Sequence, residues 1–446
     1  MTSIARRWLV LIAVYVALAV VWVVGASCVA PGLYRIEAGL LALGLGLALA
    51  LGLESWDDRF AASRSLESRR RDRGVNLALV LTASAFLGVT VRTGAVHDYV
   101  LYLRHWSDIW EGNDPWALES VFGGMNPSNA YGPIYNMFAG LSLVNRLIPK
   151  LLFASAYIAT AAALIKGLFA RRALRGLAVI GIMIWASTPY AWVEIAIRGH
   201  FDVLVGVASV AATHERRRGR DVPCAVALAA GVLLKFFPVV LIPFLALDRR
   251  RVRFRLVAIA AGLIALGMGL SCLVWGPSTF RPVSFAATRS STYLSIFRFL
   301  RGGYSPLRAW GLEPDVDWLA LPVLGLALLA TWLWCRARAV DPATAAFLAS
   351  LATVLLYPNG FPQYQMVPLM LASYWVAETW NDRRHRTALA IALVGYFGWI
   401  AAFDITYCLI GDGSPRFEDA VGLPTFVIGS ALATCVVWSE PRRRQD

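Results

Sequence analysis

Residues 249–275 read RRRVRFRLVAIAAGLIALGMGLSCLVW, three arginines and a short basic lead followed by an apolar run from 254 to 275. A membrane-spanning helix needs about 17–25 predominantly apolar residues, and this run has that length. The arginines at its front mark a cytosolic end, because Lys and Arg collect on that side of spanning helices. The same pattern recurs along the chain, in runs such as 8–30, 38–53, 75–91, 152–169, 177–197, 317–336, 387–404 and 422–438. Basic clusters punctuate them at Arg69-Arg70-Arg71, Arg171-Arg172, Arg216-Arg217-Arg218, Arg383-Arg384 and Arg442-Arg443-Arg444. The expected fold is therefore an all-α polytopic membrane protein with about 12–14 transmembrane elements.

If every cluster is cytosolic, an even number of crossings separates neighbours, and both chain ends are cytosolic. Segment 222–247 lies between two clusters and is broken by Lys235 and Pro238, so it reads as two short half-helices meeting there. Segment 131–149 reads as a re-entrant piece or short hairpin on the outer side. The longest outer segments are then 92–131, 276–316 and 405–421. The apolar run after Arg6 and Arg7 exceeds the roughly 7–15 residues of a signal-peptide core, and is expected to be an uncleaved first helix.

Composition agrees. Of 446 residues, 58% are hydrophobic and only 16% charged, with a mean hydropathy of +0.59. A soluble protein carries about 25% charge. The net charge of +14 sits in topogenic clusters, which excludes a nucleic-acid partner. The six cysteines have no zinc-ligand or CxxC spacing and read as small packing residues. No GxxxxGK[ST], HExxH or GxSxG motif occurs, so nucleotide hydrolysis, zinc proteolysis and serine hydrolysis have no support.

Five polar constellations fall on the outer side. His97-Asp98-Tyr99 directly follows a spanning run, and Asp98, Tyr102 and His105 share one helical face, with Trp106 and Trp110 on another. That pattern fits an amphipathic helix in the membrane plane, with tryptophans at headgroup depth; a simple interfacial anchor has the same spacing. Arg198-Gly199-His200-Phe201-Asp202 forms the tip of a helix pair, where charges are costly and often functional, although a solvated tip is equally open. Lys235-Phe236-Phe237-Pro238 puts an ammonium in an apolar run, at a cost of about 2.5–3.5 kcal/mol at a helix centre. It must snorkel, pair or meet an anion. Arg281, Arg289, Arg298, Arg301 and Arg308 stand where topology disfavours arginine; they suit phosphate oxygens or anionic headgroups. Tyr357 to Gln365 is a turn rich in hydrogen-bonding groups.

Taken in order, these segments resemble the GT-C superfamily, closest to glycosyltransferase family 87 and to the GPI mannosyltransferase I catalytic subunit. His97-Asp98-Tyr99, Gly112-Asn113-Asp114-Pro115-Trp116 and Tyr131-Gly132-Pro133 look like the superfamily's aspartate, Gly-x-x-Pro-Tyr and Tyr-x-Pro elements. Arg198-Gly199-His200, Lys235-Phe236-Phe237-Pro238 and Gln363-Tyr364 are similar to the Arg-Gly-Asn, Lys-x-x-Pro and Gln-Tyr elements of the GPI enzyme. The resemblance implies a GT-C-like fold and a membrane glycosyltransferase, with transfer by single displacement with inversion. The donor would be a polyprenyl-phosphate sugar, mannose being the leading choice, and the acceptor a lipid-linked or cell-envelope glycan on the outer face.

The resemblance also assigns roles. Asp98 is the catalytic base; Arg198, Lys235 and Arg289 hold the donor phosphate; His97, Tyr99, His200, Tyr131, Gln363 and Tyr364 contact substrate. Val96 stands where the GPI enzyme has a first aspartate, so neither a metal nor another cofactor is expected. The partners are the donor, a glycan or glycolipid acceptor and membrane lipids, in a plasma (inner) membrane with the active site outside. Residues 1–74 are expected to be an extra helix pair with a basic cytosolic loop, 75–380 the catalytic transmembrane domain, and 381–446 a helix pair with a basic cytosolic tail. A transporter or flippase of lipid-linked or anionic substrates is the alternative. It would favour repeats and mid-membrane charges, and the sequence shows no internal repeat.

Overall fold

The computed structural model describes residues 66–121, 124–127, 129–170, 189–248, 251–311, 316–410 and 415–441, with 37, 43 and 44. The run expected at 8–30, all of 38–53 but residues 43 and 44, the front of 177–197 and the basic clusters at 171–172, 249–250 and 442–444 lie outside the described residues.

Among the described residues, six helical segments are long and apolar enough to cross a membrane: Arg73–Thr93, Ile148–Ile165, Phe254–Thr288, Asp317–Arg338, Arg386–Asp404 and Phe417–Ser439. The chain is an all-α polytopic membrane protein. In the most apolar window of Phe254–Thr288 only 11% of residues are buried, and Leu266, Leu270, Leu273 and Val274 are exposed. An apolar surface of that extent is suited to lipid.

The chain forms two compact units, each discontinuous in sequence. The first comprises Met1–Tyr99, Pro149–Phe201 and Ala401–Gly411. Its helices include Leu66–Thr93 and most of Ile148–Ala170, and a π-helical turn runs over Trp192–Ile197. They pack through aromatic side chains: Phe86 stacks on Tyr157 at 5.4 Å and leans on Trp192 at 4.7 Å. Lys150 is fully buried here. Its Nζ donates to Thr93 Oγ1 (2.9 Å), Gly94 O (2.8 Å) and Ile197 O (2.7 Å), so every proton of the ammonium is satisfied. It ties the end of Leu66–Thr93 to the π-turn.

The second unit comprises Val100–Ile148, Asp202–Ile400 and Asp412–Asp446. Helices Asp202–Arg217 and Asp221–Leu234 form its antiparallel hairpin, turned at Gly219. Phe254–Trp275 packs on the latter, Met366–Thr379 on the former, and Pro342–Leu356 joins Asp317–Arg338 to them. Thr292–Tyr293 pairs in parallel with Asn359–Gly360, which fixes the 276–316 segment against the turn before Met366. The described cysteines Cys224, Cys272, Cys335 and Cys435 are free.

Segment 222–247 is divided as expected: helix Asp221–Leu234, a break at Lys235, a 3-10 turn Phe237–Val240 and helix Leu241–Leu245. Segment 131–149 holds two short helices, Pro133–Asn136 and Phe138–Val144. The helix Asp98–Trp110 also forms, but the expected role of Trp106 needs correction. Trp106 is fully buried, packed on Tyr135 and Phe138 with Nε1 donating to Tyr135 O at 3.2 Å. It belongs to the protein core, and only Trp110 is exposed. His214 is half-buried beside the Tyr374 hydroxyl at 3.2 Å.

Candidate active site

In the first unit the chain leaves helix Leu66–Thr93 through Gly94 and His97, both with left-handed backbones (φ +59° and +48°), and starts the next helix at Asp98. A carboxylate at a helix N-terminus is favoured by the helix dipole. The π-turn follows a different logic. Arg198 N–H donates to Val193 O and His200 N–H to Glu194 O, both at 2.8 Å. The extra residue in this turn swings the 198–200 loop away from the α-helical path, as π-bulges do at functional sites. Gly199 has φ +70°, and a Cβ there would lie 2.7 Å from the Tyr99 ring. Only glycine fits between Arg198 and His200.

This backbone brings five ionisable groups together. His200 Nδ1 lies 2.5 Å from Glu194 Oε2, and its Nε2 lies 2.9 Å from Asp98 Oδ2. Arg198 Nη1 lies 2.6 Å from Glu194 Oε1 and 3.2 Å from Asp404 Oδ1. An imidazole with a carboxylate on each nitrogen satisfies both only when both nitrogens carry a proton. His200 stands in the turn between Ile197 and Asp202, outside the helices. Burial disfavours its charge, but Glu194 and Asp98 outweigh that and raise its pKa to about 9. Burial likewise pulls the Asp98 carboxyl up. The His200 hydrogen bond and charge, with Arg198 and His97, outweigh it and hold Asp98 at about 2.

The second unit holds a cavity of about 240 Å³. Its wall is mostly apolar, with Phe236, Phe237, Val240, Phe285 and Leu324, and it includes Lys235 and Arg289. Lys235 sits past the end of helix Asp221–Leu234 in an extended conformation, with Pro238 close behind. Its Nζ is 2.6 Å from Asp202 Oδ1, 4.0 Å from the centre of the Tyr364 ring and 5.6 Å from that of Tyr131. Carboxylate and aromatic faces together compensate a desolvated ammonium. Tyr131 is placed by Gly132, whose N–H donates to Leu234 O at 3.1 Å. A Cβ on Gly132 would fall 2.2 Å from Leu233 O, so the Tyr131-Gly132-Pro133 element needs its glycine for close approach.

Arg289 Nη1 donates to the Tyr364 hydroxyl at 3.3 Å, and its guanidinium lies 4.9 Å from the Phe285 ring centre and 5.3 Å from that of Phe361. With its amide oxygen toward Arg289, Asn359 accepts from Nη1 at 2.6 Å and Nε at 3.1 Å and donates to Thr292 Oγ1 at 2.7 Å. A cation so braced is preorganised in the cavity wall.

The expected site residues thus divide. Asp98, His97, Tyr99, Arg198 and His200 fall in the first unit, and Tyr131, Lys235, Arg289, Gln363 and Tyr364 in the second. Tyr99, expected at the substrate, is fully buried and accepts a hydrogen bond from the Lys150 N–H at 3.2 Å. It braces the turn. Arg198, expected on phosphate, is placed between Glu194 and Asp404. Gln363 is buried in the 3-10 turn Pro362–Gln365. Of the other arginines expected on the outer side, three serve the fold: Arg281 pairs with Asp114, Arg298 with Glu418 and Asp419, and Arg301 with Asp317. Arg308 is exposed. Glu194 and Asp404 were not singled out from sequence. The signal was present, since each is a lone carboxylate within or at the end of an apolar run.

The sequence profile of glycosyltransferase family 87 matches residues 131–358, just over half of the chain. The chain belongs to glycosyltransferase family 87 and is a membrane glycosyltransferase. The matched stretch includes Tyr131, Arg198, His200, Lys235 and Arg289, and leaves out Asp98, Gln363 and Tyr364. No curated protein matches the chain.

Proposed function

We propose that the protein transfers mannose from a polyprenyl-phosphate donor to a glycan or glycolipid acceptor on the outer face of the plasma membrane. The observation that carries this reading is the cavity of about 240 Å³, apolar in lining with Lys235 and Arg289 in its wall. That pairing of surfaces suits a ligand with a hydrocarbon tail beside a phosphate. A sugar phosphodiester carries one negative charge, and its leaving group, a polyprenyl phosphate, gains a second as the glycosidic bond breaks. Fixed cations at that point stabilise the transition state more than the ground state.

The acceptor hydroxyl attacks the anomeric carbon, and the carbon–phosphate-oxygen bond breaks with its electron pair remaining on the phosphate. The configuration inverts. Asp98 takes the acceptor proton. A carboxylate held near 2 is a weak base, but it suffices if transfer is late, because the hydroxyl becomes strongly acidic once its oxygen bonds to carbon. Tyr131, Gln363 and Tyr364 are assigned to the substrate in the second unit and His97 in the first. The machinery is assigned to residues 75–380, with cytosolic termini and no metal.

The test is a panel of polyprenyl-phosphate sugars offered to the purified protein, with release of polyprenyl phosphate as the readout. Consumption of the mannose donor is expected. Consumption of a nucleotide sugar in its place would overturn the reading.

A further inference from the structure

Glu194 lies at the centre of the first unit's charged network. It has no exposed surface, sits in the π-turn, and uses its two oxygens on different partners, Oε1 on Arg198 at 2.6 Å and Oε2 on His200 at 2.5 Å. The far side of the same ring holds Asp98 Oδ2 at 2.9 Å. Glu194 is thus connected to the assigned base through one imidazole, although it does not touch Asp98. The Asp98 side chain is 46% exposed whereas that of His200 is 3% exposed. The network therefore runs from a closed interior to one accessible carboxylate.

We propose that Glu194 is a positioning residue for sugar transfer: it fixes the His200 ring, which grips Oδ2 of Asp98 and leaves Oδ1 to take the acceptor proton. The inference rests on the reading of Asp98 as the base. Physically, a buried imidazole that lost one of its two facing carboxylates would hold its charge less firmly and could rotate. Glu194 opposes both, and Arg198, itself tied to Asp404, keeps Glu194 oriented. The π-turn is what permits this. Glu194 and Arg198 are one α-helical turn apart, but His200 is six residues on and reaches back only because of the extra residue and Gly199. The proton balance is simple: the acceptor proton ends on Asp98, and the two protons of the His200 ring stay in place throughout. The charged groups around the ring are Glu194 and Arg198 on its own segment, His97 and Asp98 at the start of helix Asp98–Trp110, Asp404 on helix Arg386–Ile410, and the Lys150 ammonium, which is bonded to Thr93, Gly94 and Ile197.

The experiment compares wild type, Glu194→Gln, Asp98→Asn and the double variant in detergent, following polyprenyl phosphate release from pH 5 to 10. Glu194→Gln should lower kcat on the order of tenfold to a hundredfold, as for outer partners that orient a functional group, with donor KM unchanged. Its high-pH limb should move to lower pH by about 1–3 units, the effect of removing a close opposite charge. In the Asp98→Asn background the Gln substitution should cost nothing further, because the residue it positions is already gone. An equal loss in both backgrounds, or an unmoved limb, makes Glu194 structural only and overturns the inference while leaving Asp98 as the base. Near wild-type turnover in Asp98→Asn removes the base reading and the inference together. A second measurement needs no activity or Gln variant: in wild-type protein with ¹⁵N-labelled histidine, His200, identified by its loss in His200→Asn, should remain doubly protonated at pH 8. A neutral ring at that pH contradicts the inference.

Discussion

The ammonium of Lys235 and the carboxylate of Asp202 meet at 2.6 Å, one from the break after helix Asp221–Leu234 and the other from the first residue of Asp202–Arg217. Asp202 Oδ2 is buried without a hydrogen-bond partner among the described residues. The pair therefore stands in an apolar wall with one carboxylate oxygen unused, and removing the lysine would leave a buried charge uncompensated, at a cost of about 3–5 kcal/mol. Lys235→Met should weaken donor binding and also lower thermal stability. Adding Asp202→Asn should restore much of the stability and none of the binding. Recovery of both would show that Lys235 serves only the fold.

Arg198→Ala is expected to act on stability before it acts on the donor. Its guanidinium lies between Glu194 and Asp404, whose side chains have no exposed surface. Loss of the arginine leaves two buried carboxylates, and unfolding should become easier by about 3–5 kcal/mol. The readout is thermal unfolding in detergent. An unchanged midpoint with a raised donor KM would return Arg198 to the phosphate.

The pH dependence follows from Asp98. Its folded pKa, about 2, lies below the roughly 3.9 of a free aspartate. The ionised form is thus favoured by folding, and that contribution is present above about 3.9 and lost as pH falls towards 2. Turnover should show no acidic limb from Asp98 between pH 5 and 8. His200→Asn removes the strongest of the lowering partners, so an acidic limb should rise towards that range. A wild-type limb near pH 6 would mean that another group controls the base.

Much of the fold is legible in the sequence because apolar length and arginine placement are local signals. The break at Lys235–Pro238 is equally local, a charge and a proline in one apolar run. Trp106 shows the limit: helical spacing gives its face, but whether that face meets lipid or Tyr135 depends on a segment 29 residues away. The site was half legible. Asp98, His200, Lys235 and Arg289 stand out by type and place. The Glu194–His200 contact does not, since a spacing of six matches no α-helical face and requires a π-turn that no residue pattern announces. Asp404 joins Arg198 across 206 residues.

Orientation is expected to follow the arginines. Single cysteines placed at the exposed positions Arg218 and Arg384 should label only from the cytosol, and one at exposed Arg308 only from outside. Labelling of Arg308→Cys from the cytosol would invert the proposed outer site.

A metal is not part of the proposed chemistry, because Val96 stands where a chelating pair would need a second aspartate and Asp98 already faces His200. Turnover should persist in EDTA. Loss of activity, restored by magnesium or manganese, would show that other carboxylates complete a metal site.

The most direct test of the account is turnover of Asp98→Asn on the polyprenyl-phosphate mannose donor, measured beside donor binding in protein of unchanged thermal stability. General-base catalysis contributes about 10²–10⁴-fold, and turnover should fall by that factor while donor affinity stays within about twofold, since the phosphate is assigned to Lys235 and Arg289. Near wild-type turnover in the folded variant would contradict the account and show that Asp98 is not the base.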